Sequence, residues 1–152
     1  MKEIYIAGPF STDQERESLK KMIELVKKNF PDYNLYIPME YKVEGDFQKE
    51  DGTWNLPNHE WARKVYLEDL KHLENAKYVI AMYLGRQQSS TGTAWELGYS
   101  CAYGINTIIY IPGWAKSNKM SLMVLNSALG YMEEDGEMKY VKEDTWKNFD
   151  QK

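Results

Sequence analysis

A single cysteine, Cys101, stands in a chain of 152 residues. No internal disulfide can form, and a reducing, cytoplasmic setting is the expectation. Histidine is almost as scarce. His59 and His72 are the only two, and Cys101 has no partner at ligand spacing, so neither a metal nor any other cofactor is expected. Positive charge is not in excess: 19 Lys and Arg stand against 23 Asp and Glu, for a net charge of −4. No basic cluster is interleaved with aromatics, which argues against a nucleic-acid partner. The apolar runs fall far short of the roughly 20 residues a membrane helix requires. Met1 is followed at once by Lys2 and Glu3 and then by a strand-like run too short for a signal peptide. A glycine-rich phosphate fingerprint is also missing, because Tyr5-Ile6-Ala7-Gly8-Pro9-Phe10 lacks the glycine spacing. No serine sits in a nucleophile elbow, although a Ser–His–acid triad assembled in space stays open.

Aromatics are abundant, with 12 Tyr and 5 Trp. Their flat faces and polar handles suit stacking on a heterocycle, and equally a core or a subunit interface. The length fits one domain over residues 1–152. Glu3 to Ala7 reads as a first strand ended by Gly8-Pro9. Thr12 with Glu15 forms a capping box, and Leu19, Met22, Ile23, Val26 and Phe30 recur at helical spacing until Pro31. Asn34 to Ile37 is a second strand. Residues 41–58 form a long polar segment of the kind that serves as a lid or is disordered. A helix follows from about Asn58 to Asn75, then a strand over Lys77–Leu84, a helix from Thr93 to about Tyr103, and a strand over Thr107–Ile111. Leu122, Met123, Leu125 and Leu129 suggest one more helix, and the acidic tail from Glu133 carries at most a small terminal one. This alternation predicts an α/β fold, a flavodoxin-like or Rossmann-like sandwich with about five parallel strands and helices on both faces.

Two carboxylates stand out. Glu96 lies in Ser90-Thr91-Gly92-Thr93-Ala94-Trp95-Glu96-Leu97-Gly98-Tyr99, a glycine-containing turn opening a helix directly after a strand. Ligands bind at such strand–helix junctions in open α/β sheets. The spacing predicts Glu96 in the first helical turn, where it is a candidate nucleophile or base, or merely complements the positive helix end. Asp69 shares a helix face with Trp61 and Val65. Turned inward, it would lose solvent and hold its proton to higher pH; turned outward, it is an ordinary solvated acid. Paired carboxylates without metal or thiol suit glycosyl transfer, one attacking the anomeric carbon and the other managing a proton.

The combined pattern resembles the nucleoside 2-deoxyribosyltransferase family. The matching pieces are Tyr5 to Phe10, Trp61 eight residues before Asp69-Leu70, Gly92-Thr93-Ala94-Trp95-Glu96-Leu97-Gly98, and Ser121-Leu122-Met123. The resemblance implies that Glu96 attacks C1′ to form a covalent deoxyribosyl ester, that Asp69 exchanges a proton with the base, and that Tyr5 positions the nucleophile. It further implies substrate contacts at Gly8, Phe10, Trp61, Ser90, Gly92, Ser121 and Met123. Met123 would reach a neighbouring subunit's site, which requires a homo-oligomer, a dimer or higher, with shared active sites. The implied partners are a deoxynucleoside or deoxynucleotide and a free nucleobase.

Two positions depart from the transferase pattern. Ser90 stands where transferases usually carry Asp, and Ser121 where they usually carry Asn. Both serines resemble the related 5′-monophosphate N-glycosidases, in which hydroxyls meet the 5′-phosphate. Those hydrolases also carry a basic side chain just after the first strand, where this chain has Ser11 and no arginine before Arg16. The resemblance thus implies deoxyribosyl transfer between bases, with monophosphate hydrolysis as the alternative and a catalytically silent nucleotide-binding domain as the third reading.

Overall fold

Strict alternation in the first strand, β1 (Glu3–Ala7), decides which residues meet which layer. Ile4 and Ile6 face one side of the sheet with Leu19, Met22 and Val26, while Tyr5 and Ala7 face the other with Leu73 and Leu97. The computed structural model describes residues 2–41 and 60–140. The segment expected to be a lid or disordered over 41–58 therefore lies, Tyr41 apart, outside the described residues, as does the far end of the tail.

Helix α1 (Asp13–Asn29) begins with the expected capping box. The Thr12 hydroxyl accepts the Glu15 N–H at 3.1 Å, and the Glu15 carboxylate accepts the N–H groups of Thr12 and Ser11 at 3.0 and 2.9 Å. A cap of this kind contributes about 1 kcal/mol. Its apolar stripe of Leu19, Met22, Ile23 and Val26 is buried against the sheet, each side chain worth roughly 1.5–3 kcal/mol of transfer free energy. After β2 (Asn34–Tyr36) come α2 (Glu60–Asn75), β3 (Tyr78–Met82), a short 3-10 turn over Gln88–Ser90, α3 (Thr91–Ala102), β4 (Asn106–Tyr110), α4 (Leu122–Ser127), β5 (Gly130–Met132) and β6 (Met138–Tyr140).

The sheet runs β2-β1-β3-β4-β5-β6. Its first five strands are parallel and take the expected flavodoxin-like order. Three details differ from the expectation. Residues from Glu133 fold back as an antiparallel edge strand, so the sheet has six strands and is mixed. The turn that allows this has Gly136 at φ +88°, and its N–H donates to Glu133 O at 2.8 Å. Leu129 leads into β5 rather than extending α4, its N–H donating to Thr107 O at 2.8 Å. Finally, α3 starts at Thr91, wound on from the 3-10 turn, and the Thr91 hydroxyl donates to Gln88 O at 2.8 Å. Glu96 is therefore in the second turn, not the first.

In this order the chain leaves β1 for β2 on one side and returns to β3 on the other. The carboxyl end of β1 is thus a switch point, where a crevice opens in a doubly wound sheet.

Candidate active site

A cleft of about 920 Å³ opens at that switch point. Its floor is the carboxyl end of β1 and the turn after it, Tyr5 to Ser11. One wall is α2, through Trp61, Val65, Tyr66, Asp69 and Leu70, and the other is the start of α3, through Gly92, Thr93, Trp95 and Glu96. Gly8 is needed for packing, because a Cβ there would meet the Leu19 side chain at 2.9 Å and Met82 Cβ at 3.1 Å. At Gly92 a Cβ would meet nothing within 4 Å, so any demand for glycine there comes from what enters the cleft.

Each of the two carboxylates receives a tyrosine hydroxyl. Tyr5 OH donates to Glu96 Oε2. Tyr36 OH donates to Asp69 Oδ1 at 2.8 Å. The two tyrosines are register partners on β1 and β2, with ring centroids 5.5 Å apart. The α3 backbone beside the nucleophile candidate is fixed as well, since Ser100 Oγ donates to Glu96 O at 2.6 Å.

Burial pushes the Glu96 carboxyl up to about 7; the Tyr5 hydrogen bond pulls it down and the nearby Asp69 charge pushes it up again. An acid recruited merely to complement a helix end would be displaced downward, and the helix dipole fades beyond the first turn. Desolvation governs Glu96. The same cause raises Asp69 above the ordinary carboxyl range, opposed by the Tyr36 hydrogen bond and the positive potential of His72, and reinforced by Glu68. Tyr5 is driven far above the usual phenol value, first by burial and then by Glu96 and Asp69, so it remains a hydrogen-bond donor throughout the physiological range. A half-neutral carboxylate beside a second raised acid, in a cleft walled by aromatics, can attack an electrophilic carbon while its neighbour exchanges a proton.

Seven of the ten residues singled out from the sequence come together here: Tyr5, Gly8, Phe10, Trp61, Asp69, Gly92 and Glu96. The other three do not line this cleft. Ser90 is only 2% exposed, and its hydroxyl is turned inward to accept the Leu84 N–H at 3.3 Å. Its neighbour Ser89 is the serine on the cleft wall. Ser121 caps α4 by accepting the Val124 N–H at 3.4 Å, and its own N–H donates to Tyr83 OH at 3.1 Å. Met123 projects outward, 83% exposed.

Sequence reasoning missed Tyr36, Tyr66 and Trp95. Tyr66 and Trp95 meet edge to face at 5.9 Å on the rim. Tyr36 carried a readable signal, because it ends a strand in a sheet whose ligands sit at strand carboxyl ends.

Known proteins share this architecture. A 2-deoxyribosyltransferase of the psychrotolerant bacterium Bacillus psychrosaccharolyticus superposes with a TM-score of 0.69 at 22% identity, over 92% of this chain and 99% of that one. A conserved protein of Enterococcus faecalis V583 gives 0.58 at 14% identity, over 84% and 86%. The CMP N-glycosidase BcmB of Clostridium botulinum gives 0.51 at 16% identity, over 98% and 99%. No curated protein sequence matches. At these identities the superpositions establish the fold alone. Residues 4–144 match the family model described as nucleoside 2-deoxyribosyltransferase. Since that match runs over nearly the whole chain, this protein belongs to the nucleoside 2-deoxyribosyltransferase family.

Proposed function

We propose that this protein cleaves the N-glycosidic bond of 2′-deoxynucleosides and transfers the deoxyribosyl group to a second nucleobase. The observation that carries the reading is the buried Glu96 carboxylate, held by Tyr5 at the switch-point cleft with Asp69 on the facing wall. The base stacks among Phe10, Trp61, Tyr66 and Trp95. As the C1′–N bond breaks, its electron pair passes to the leaving base, which takes a proton from Asp69. Glu96 closes on C1′ to form an ester. A second base then attacks C1′, the Glu96 carboxylate leaves, and the incoming base returns a proton to Asp69. Positive charge developing on the sugar is stabilised by the adjacent carboxylate in a partly dried site, and the missing 2′-hydroxyl eases that development. Tyr5 keeps the attacking oxygen aimed.

The second reading uses the same nucleophile on 2′-deoxynucleoside 5′-monophosphates and gives the intermediate to water. A specific observation favours it: Arg16, Ser11 and Ser89 share the cleft lining with Glu96. The guanidinium of Arg16 is held there by the carbonyls of Phe10 and Ser11 at 3.0 and 2.9 Å. A phosphate would accept hydrogen bonds from all three side chains. Arg16 also pairs with Asp13, which offsets part of its charge, so the nucleoside reading stays first.

Both readings take an oligomer as the working form, with Met123 and Ser121 reaching a neighbour's site. In support, Met123 and Leu122 are 83% and 73% exposed and lie outside the chain's own cleft.

The test is a chromatographic assay of deoxynucleosides and their 5′-monophosphates in parallel, each with and without free adenine. A new deoxynucleoside formed only with adenine is the expected result. Base released from the monophosphates regardless of adenine would instead identify the hydrolase. Glu96→Ala should lower turnover by at least about a thousandfold, as loss of a nucleophile does, with the fold intact by circular dichroism. Retained turnover would refute the nucleophile assignment.

A further inference from the structure

Nothing in the mechanism above uses Tyr36. Its hydroxyl donates to Asp69 Oδ1 at 2.8 Å, and its ring is packed among aromatic neighbours. His72 stacks flat on it, centroids 3.7 Å apart and planes 6° from parallel. His72 is in turn pinned through Nδ1 to Glu3 Oε1 at 2.7 Å and through Nε2 to Glu68 Oε1 at 3.3 Å. Tyr5 and Tyr41 also pack against the Tyr36 ring, at 5.5 and 5.6 Å. A phenol clamped in this way has little rotamer freedom left to lose, so the oxygen it holds is fixed in direction as well as in charge.

We propose that Tyr36 is a positioning residue for the base-side proton transfer: its hydroxyl engages one oxygen of Asp69 and leaves the other to exchange a proton with the nucleobase. The inference rests on the reading of Asp69 and Glu96 given above. It makes the site a matched pair, each acid held by its own tyrosine from adjacent strands in register. Asp69 is faced by Tyr5 from β1, Tyr36 from β2, His72 and Glu68 from its own helix, and Glu96 from α3. Of these, Tyr36 donates the hydrogen bond to its carboxylate. Burial and the Asp69 hydrogen bond hold the Tyr36 phenol well above its ordinary value, so it donates at every working pH.

Tyr36→Phe removes the hydroxyl and keeps both ring contacts. In the full-length enzyme, with whichever deoxynucleoside or monophosphate it turns over, kcat should fall about ten- to a hundredfold, the loss of one hydrogen bond to a charged group, while KM changes less. The hydroxyl favours the ionised carboxylate, so without it Asp69 keeps its proton to higher pH and the limb of the kcat profile that Asp69 sets moves up. A merely structural tyrosine would not move that limb. Site-specific 3,5-difluorotyrosine at position 36, a stronger donor that keeps the ring, should move the same limb down and serves even if Tyr36→Phe folds poorly. In an Asp69→Asn background, Tyr36→Phe should cost little further. An unmoved limb in both variants, or the same loss of kcat with and without Asp69, overturns the proposal. If instead Glu96→Gln still forms product at the parental rate, the wider reading fails whatever Tyr36 does.

Discussion

Tyr5 and Glu96 form a pair in which the carboxyl titrates near neutrality while the phenol keeps its proton. Burial holds the Glu96 carboxyl near 7, and the phenol is the one contact that pulls it down. If Glu96 is the attacking group, the kcat/KM profile of the free enzyme should therefore carry a limb near pH 7 set by its carboxyl. Tyr5→Phe removes the lowering contact, so that limb should shift upward and kcat should fall; a limb left in place would detach Tyr5 from Glu96. Stability carries the opposite signature. A carboxyl raised on folding contributes stability below its unfolded value near 4.5, and that contribution is lost as pH rises through about 7. Glu96→Gln, neutral at every pH, should match the parent near pH 4.5. At pH 8 it should exceed the parent by about 1–3 kcal/mol. Chemical denaturation at the two pH values measures the difference, and equal stabilities at pH 8 would mean that Glu96 is not desolvated. An enzyme that keeps such a group sacrifices stability for reactivity.

At the scale of elements, the loop between β3 and α3 explains why the Ser90 hydroxyl is turned to the backbone. The backbone N–H of Leu84 has to be satisfied as the strand ends, and Ser90 Oγ accepts it at 3.3 Å from the 3-10 turn. Ser90→Ala should cost about 1 kcal/mol of stability and leave any preference between nucleoside and monophosphate untouched. Ser89→Ala or Arg16→Ala should alter that preference, as paired rate measurements would show. The long elements are legible in the sequence. The short run of β1 ended by Gly8-Pro9, the stripe of α1 behind Thr12 and Glu15, and the apolar run of β3 all declare themselves over several residues. β5 and β6 did not, because three residues cannot display a period, although Asp135-Gly136 is a hairpin signal. In the site, Glu96 and Asp69 were marked by motif, whereas the strand-end position of Tyr36 names no partner, and sheet order supplies one by bringing β2 beside β1 across a gap of 31 positions. The inward turn of the Ser90 hydroxyl was equally unreadable, since adjacent serines differ only in which backbone groups they meet.

At the scale of the whole molecule, the apolar surface is distributed unevenly. Leu122 and Met123 stand at the start of α4, open to solvent, and the rings of Trp95, Tyr99 and Tyr103 stack along α3 at 5.2 and 5.8 Å. If a second subunit covers this region, Met123→Lys should shift the protein to a smaller species by light scattering and lower kcat without disturbing the circular dichroism spectrum. The loss would be of the order of the roughly 1.5–3 kcal/mol that burying one such side chain contributes. A parental oligomer with parental kcat would refute the assignment. The partnership of Tyr5 and Tyr36 reaches further than either residue. Adjacent strands lie about 4.8 Å apart because amide hydrogen bonding fixes that spacing, and the two phenols stand on neighbouring strands at the same rung. The interval between Glu96 and Asp69, the carboxylates those phenols hold, is thereby gauged by the main chain, the dimension of a protein least open to mutation. Cleft residues such as Phe10, Tyr66 and Trp95 are then at liberty to vary, by evolution or by design, without resetting the gauge.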